Sequence, residues 1–256
     1  MSTADDLLAG GDLDGARRVL VEAVKRDPGH APSRMFLFQL LAILGEWDKA
    51  KAQASALAQI SPEAQMLSVV YGQAIDAEAV RAAVFAGEAR AAVHGGSDWA
   101  GGVADAIHLA ARGRTDEAEA ARAAAFDAAP DTPGELDGAS FDWIADADPR
   151  FGPCVEAIVG GRYGLLPFDA VARLDSEGPK DLRDLVWYPV EITLRAGPRI
   201  AALLPTRYPG ITADAAERLA RATGWDGEGR GSGQRLWALS DGDERGLLSV
   251  RSLTFR

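Results

Sequence analysis

The spacing of one short motif constrains this chain more than any other feature. Gly11-Asp12-Leu13-Asp14-Gly15-Ala16 returns as Gly45-Glu46-Trp47-Asp48-Lys49-Ala50, an offset of 34 residues. Pro28 and Pro62 keep the same offset, each 12 residues after its alanine. A third copy stands two periods on, where Gly113, Asp116, Ala118 and Pro130 hold the same internal spacing, while the slot between, around Ala79 to Gly96, has lost the signature. A unit of this length cannot bury its apolar face alone and must stack on its neighbours. In the first copy Leu13, Ala16, Val19, Leu20, Ala23 and Val24 form one helical stripe. Asp12 suits the N-cap, and Asp27-Pro28 ends the helix because the residue before proline is pushed out of the α region. Ala16, Ala50 and Ala118 are small where two helix backbones must approach closely.

Glycine where a first helix ends, a small residue at the helix contact and proline closing the second helix together resemble the tetratricopeptide repeat. The next helix, Ser33 to Leu44, is apolar nearly all round and is expected to be central. Further helices are expected at about 63–85, 98–112 and 115–128. Pro130, Pro133, Gly134 and Gly138 then mark a break. The reading is an α+β chain: a tetratricopeptide-like α-α superhelix over 1–130, a linker over 131–139, and a smaller α+β domain with an antiparallel sheet over 140–256. Alternation at Val186–Leu194 and Arg199–Leu204, around Ala196-Gly197-Pro198, predicts a hairpin. Gln234–Leu239 and Leu247–Phe255 read as two more strands around Asp241-Gly242, and Cys154–Gly160 and Asp214–Thr223 as short helices.

Composition narrows the function. Of 256 residues 47% are hydrophobic and 25% charged, enough to bury a core. A net charge of −11 repels phosphate backbones and anionic lipid, which argues against nucleic-acid and membrane partners. No apolar run approaches the length of a membrane span. The segment Met1 to Asp6 is acidic, unlike a secretory leader, and Cys154 is the one cysteine, so the expectation is a cytoplasmic protein of a reducing compartment.

The chemistry-bearing residues do not assemble into a known constellation. His30, His94 and His108 all lie in the helical half without metal-ligand spacing, so no metal or cofactor is expected. Cys154 has no histidine in its half and reads as a core residue. Gly227-Glu228-Gly229-Arg230-Gly231-Ser232-Gly233 lacks the Lys-Ser/Thr of a phosphate loop and precedes a strand, so it reads as a hairpin connection. Asp142, Asp146 and Asp148 match no calcium loop and suit turn bonds or an ion pair to Arg150. Arg183, Asp184, Trp187, Arg207 and Tyr208, beside strand ends, suit a buried ion pair or a partner-binding hot spot.

Arg34 to Leu41, Phe141 to Pro153, Gly161-Arg162-Tyr163, Pro167-Phe168, Asp181 to Trp187, Pro205 to Pro209 and Gly233-Gln234-Arg235 run in order along the chain. Together they resemble the ImpE/TagJ (SciE-type, avirulence-locus) family of type VI secretion accessory proteins. One departure is Gly164-Leu165, where the family tends to carry a second aromatic after the Gly-Arg-Tyr motif. The resemblance implies a non-enzymatic adaptor that associates with the small contractile-sheath subunit (TssB/VipA type) and, in some systems, with the ClpV-type ATPase that recycles contracted sheath. It brings no catalytic residues. Two alternatives stand beside it: a hydrolase or ligand-binding enzyme using Asp142, Asp146 and Asp148 with Arg183 or Arg207, and a generic repeat scaffold. Two surfaces compete for a partner helix, the concave helical face and the Arg183–Tyr208 stretch. The segment up to Glu135 carries 12 basic and 20 acidic residues, a net −8, against −3 for the remainder. A basic amphipathic helix is therefore steered to the first. The expectation is a shared site at the junction, touching Trp187 or Tyr208.

Overall fold

The structure, a computed structural model, describes residues 3–210 and 212–256. Its helices are α1 (Ala4–Ala9), α2 (Leu13–Arg26), α3 (Ala31–Ile43), α4 (Trp47–Ala58), α5 (Pro62–Phe85), α6 (Ala100–Ala111), α7 (Thr115–Ala128) and α8 (Ala215–Arg218). The first strands are β1 (Ala92–Val93), β2 (Gly134–Leu136), β3 (Ala139–Phe141), β4 (Ile144–Asp146), β5 (Cys154–Val159), β6 (Arg162–Pro167) and β7 (Val171–Asp175). The rest are β8 (Trp187–Leu194), β9 (Arg199–Pro205), β10 (Thr223–Trp225), β11 (Gly231–Gly233), β12 (Leu236–Leu239), β13 (Glu244–Gly246) and β14 (Ser252–Phe255).

The repeat logic holds where its signature is intact. Gly11, Gly45 and Gly113 adopt φ of +81°, +71° and +73°, the left-handed conformation that lets a helix stop and turn back, and glycine enters it without a Cβ clash. The Asp12 side chain accepts from the Gly15 amide at 2.7 Å and caps α2. Ala16, Ala50 and Ala118 are all buried at helix crossings. The period fails at the third pair. A glycine is due at 79, but α5 runs about two turns further to its left-handed Gly87. The chain then enters β1 instead of a second helix. Met66, Val69, Val70 and Val80 of α5 stay exposed, at 70%, 57%, 39% and 48%.

The C-terminal half is built on a nine-stranded sheet of order β1-β6-β5-β9-β8-β7-β14-β2-β3, antiparallel throughout except for the β1–β6 pair. A three-stranded sheet β13-β12-β4 and the hairpin β10-β11 complete it. Along β5 the side chains alternate: Cys154 and Ile158 join the core shared with the helices, Val155 and Ala157 the core shared with the small sheet. The helices α3, α5 and α6 pack on the 182–185 turn, β6 and β1. That side of the helical layer is therefore covered in part by the chain's own sheet.

Several local expectations are corrected. The segment 154–160, expected as a helix, forms strand β5 over Cys154–Val159 and then turns at Gly160. Gly160 and Gly161, both at positive φ, make a two-residue hairpin turn to β6, and Val155, Ile158 and Val159 favour the pleat. Asp137 and Gly138, also at positive φ, make the same kind of turn between β2 and β3, so the segment expected as a linker carries sheet strands. The 214–223 helix shrinks to α8, and Thr223 opens β10. β12 pairs with β13, while the 247–255 segment breaks at a 3₁₀ turn and sends β14 to the main sheet. The hairpin of β8 and β9 stands as expected, and so does the Gly-rich segment linking β10 to β11.

Ala50 has no exposed surface. Replacing it with leucine should overpack the α3–α4 crossing and cost about 1–3 kcal/mol in chemical denaturation. Unchanged stability would mean the crossing has room that the packing denies.

Candidate functional site

The helical layer meets the sheet around a buried chain of charges. Arg81, from the extended part of α5, donates to Glu156 of β5 through Nε at 2.7 Å and Nη2 at 2.8 Å. Nη2 also donates to the Arg207 carbonyl at 2.8 Å. On the other side of Glu156 lies Arg235, which donates to both Glu156 and Asp146. Tyr163 donates its hydroxyl to Glu156 at 2.6 Å. The Arg235 guanidinium lies between the rings of Phe151 and Tyr208, at 4.5 and 4.8 Å from their centroids. Glu78, one turn before Arg81, accepts from the Trp187 indole at 3.0 Å. This arrangement ties α5, the main sheet and the small sheet together.

The geometry separates the two carboxyls. Burial pushes Glu156 up, but Arg81 and Arg235 outweigh it and hold the group at about 2. Asp146 has a single guanidinium and a backbone amide against the same burial, and it rises to about 6. Arg81 and Arg235, although burial pulls them down, are held above their ordinary value by these carboxylates. Glu156 and Arg235 have no exposed surface, and Arg81 keeps only a small one, on the α5 side.

Each residue singled out from the sequence has a definite place. Trp187 is fully buried, tilted against Trp47 and Tyr71 with centroids 5.7 and 5.6 Å away. Tyr208 is 3% exposed and exchanges hydrogen bonds with the Leu236 backbone. Both sit at the junction and pack into the core that joins the halves, Trp187 with no exposed surface and Tyr208 with one edge on the cleft between α3, α5 and the 207–218 segment. Asp184 is buried, accepting from the Lys180 and Asp181 amides, and burial raises its carboxyl. Arg183 pairs with Asp181 and lies over the Tyr71 ring at 4.8 Å. Arg207 donates through Nη1 to the Ile43 and Arg218 carbonyls at 2.9 and 2.8 Å. The acidic cluster disperses: Asp142 is exposed, Asp146 faces Arg235, and Asp148 holds Arg150 and the Gly231 amide. It does not converge with Arg183 or Arg207. Burial pushes the Cys154 thiol up, as befits a core residue. His30 caps α3 through Nδ1, and His108 bonds the Ala89 carbonyl.

Open surface lies on either side of the 182–186 segment. An open groove of about 620 Å³ runs between α1, α3 and the 179–185 segment, lined by Leu8, Met35, Phe36, Leu182 and Leu185 with Asp5, Lys180 and Asp181 at its rim. Phe38 turns into the core while Phe36 lines this groove. A second cleft of about 570 Å³ lies between the ends of α3 and α5 and the 207–218 segment. Sequence reasoning missed Arg81, Glu78 and Glu156. The available signal was a lone carboxylate inside the apolar run Cys154 to Val159, which a buried strand tolerates only when paired.

Glu156→Gln should cost about 3–5 kcal/mol at pH 7 by stranding two buried guanidinium groups. The Glu156 contribution is present above its ordinary value of 4.5 and is lost as pH falls toward about 2, so the gap between wild type and variant should narrow over that range. Asp146 acts oppositely, since the native state takes up its proton first as pH falls through about 6. Urea melts across pH 2–7 check both signs, and a constant gap would contradict the assignment. Trp187→Ala should lower stability by about 3–5 kcal/mol in the same melts.

Comparison with known proteins agrees with this architecture. Residues 138–254 match the family model described as ImpE protein, and residues 7–70 match a tetratricopeptide repeat. The chain is 43% identical over 255 residues to the type VI secretion system accessory component TagJ of Pseudomonas aeruginosa, covering 98% of this chain and 90% of that one. The crystal structure of protein VPA1032 from Vibrio parahaemolyticus superposes with a TM-score of 0.89 at 21% identity, over 99% of this chain and 97% of that one, and so shares the fold. With a relative this similar along nearly its whole length, and with the ImpE match over its sheet half, the chain belongs to the ImpE/TagJ family of type VI secretion accessory proteins.

Proposed function

We propose that this chain is a non-enzymatic cytoplasmic adaptor of type VI secretion, which binds a helical segment of the small contractile-sheath subunit and so modulates sheath assembly or recycling. The ClpV-type ATPase is the second partner in this reading. The observation that carries it is the groove between α1, α3 and the 179–185 segment. Phe36, Met35 and Leu182 offer apolar anchors there, with Asp5, Lys180 and Asp181 beside them. A helix laid on such a surface gains affinity from a few buried anchors, while the surrounding acidic field steers its basic face. This keeps the binding site beside the junction and moves it from Trp187 and Tyr208, which are buried, to the accessible Phe36 side of α3.

The test is titration of a fluorescently labelled amphipathic peptide from the sheath subunit into the full chain. Phe36→Asp should weaken binding by at least about 2 kcal/mol, roughly thirtyfold, with an unchanged circular dichroism spectrum. Val69→Asp, on the exposed face of α5, should bind as wild type. Loss of binding in Val69→Asp with normal binding in Phe36→Asp would move the site to α5. A wild-type chain that ignores the peptide would overturn the adaptor reading.

A further inference from the structure

The second cleft holds more positive charge than the protein around it uses. Arg207, Arg218, Arg81 and Glu78 all line it, and Arg81 is already engaged by Glu156. With Glu156 and the two groups beyond it, Arg235 and Asp146, counted in, four guanidinium groups stand against three carboxylates, in a chain whose net charge is −11. Arg207 forms no ion pair among the described residues. Its Nη1 is spent on the terminal carbonyls of α3 and α8, which fixes the plane of the guanidinium. Its Nε and Nη2 have no partner among the described residues. Among the described residues Arg218 likewise donates only through Nε, to the Thr212 carbonyl at 2.6 Å. Burial pulls Arg207 down to about 10, with Glu78 offsetting this only in part.

We propose that this cleft binds a carboxylate carried on an apolar body, received by the N–H groups of Arg207 and Arg218 that have no partner among the described residues. The planar fork of a guanidinium matches a carboxylate in geometry. The charge count selects a monoanion: one positive charge is uncompensated, and Glu78 repels a dianion such as phosphate. The walls select what the carboxylate is attached to, since Trp47, Phe85, Ala82 and Val186 surround the arginines with apolar surface. The site is independent of the Phe36 groove, so it stands or falls separately from the adaptor reading. The carboxylate belongs either to a free aliphatic acid or to an acidic side chain within an apolar protein segment.

Trp47 in the cleft wall provides the readout. The full chain is titrated, at ionic strength held constant with chloride, with sodium hexanoate, with the peptide acetyl-Leu-Glu-Leu-amide and with hexan-1-ol, while tryptophan fluorescence is followed. A carboxylate should give a saturable change and the alcohol none. Tighter binding of hexanoate assigns the site to a free acid, and tighter binding of the peptide assigns it to a protein side chain. Arg218→Gln should weaken the better ligand at least tenfold. Ala82→Glu, which places a competing carboxylate on the exposed edge of α5, should do the same, and its melting temperature should stay that of wild type. Saturation by neither carboxylate, equal binding of hexan-1-ol, or wild-type affinity in both folded variants would each overturn the proposal.

Discussion

The structure turns on a single buried carboxylate. Glu156 stands mid-strand with no exposed surface, and an isolated charge there would be prohibitive. It is tolerated because Arg81 reaches it from the helical layer and Arg235 from the small sheet, with the Tyr163 hydroxyl satisfying a further lone pair. The three pieces of the fold are thereby fixed in one relative position. Buried ion pairs add little net stability against an apolar replacement, but removing one partner is costly because the rest cannot be rehydrated. The arrangement therefore specifies how the halves dock more than it strengthens either of them.

The docking explains why the repeat breaks. A continuing array would turn back near residue 79 and place a second helix against α5. Instead α5 runs to Phe85, and the additional length carries Arg81 and Val84 into the interface with the sheet. The strand β1 then attaches alongside β6, and α6 packs on the same edge. The lost repeat signature is the sequence trace of a helical layer that has exchanged a neighbour of its own kind for a sheet.

The same exchange redistributes the binding surface. Helical repeat proteins usually present an open concave surface to a ligand, and here α3, α5 and α6 each give one side to the chain's own sheet. What remains open flanks the 182–186 segment, with the apolar groove on the Phe36 side and the arginine-lined cleft on the Arg207 side. Aromatic residues that look like interface anchors in sequence, Trp187 and Tyr208, serve instead as anchors of this internal interface. They pack as hot-spot residues do, within the protein's own boundary.

Local rules settled the features that depend on a few neighbouring residues. The 34-residue period, the left-handed glycines and the buried alanines placed the helix pairs, because capping and close crossing are set within one or two turns. The β8–β9 hairpin followed from alternation around Ala196-Gly197-Pro198. The Gly160-Gly161 and Asp137-Gly138 turns were equally local signals, and reading them would have prevented the helix and linker assignments. What the sequence could not determine was which face of each element meets another. Whether Trp187 lies outside or inside depends on Trp47, Tyr71 and Glu78, which arrive from residues more than a hundred positions away. Phe36 and Phe38 differ only in azimuth on one helix, and only the docked sheet makes one a groove residue and the other core. Periodicity determined the paired helices and the ordered motifs carried the family resemblance, whereas burial of charge between distant segments, a property of the assembled tertiary structure alone, decided which surfaces were left to bind.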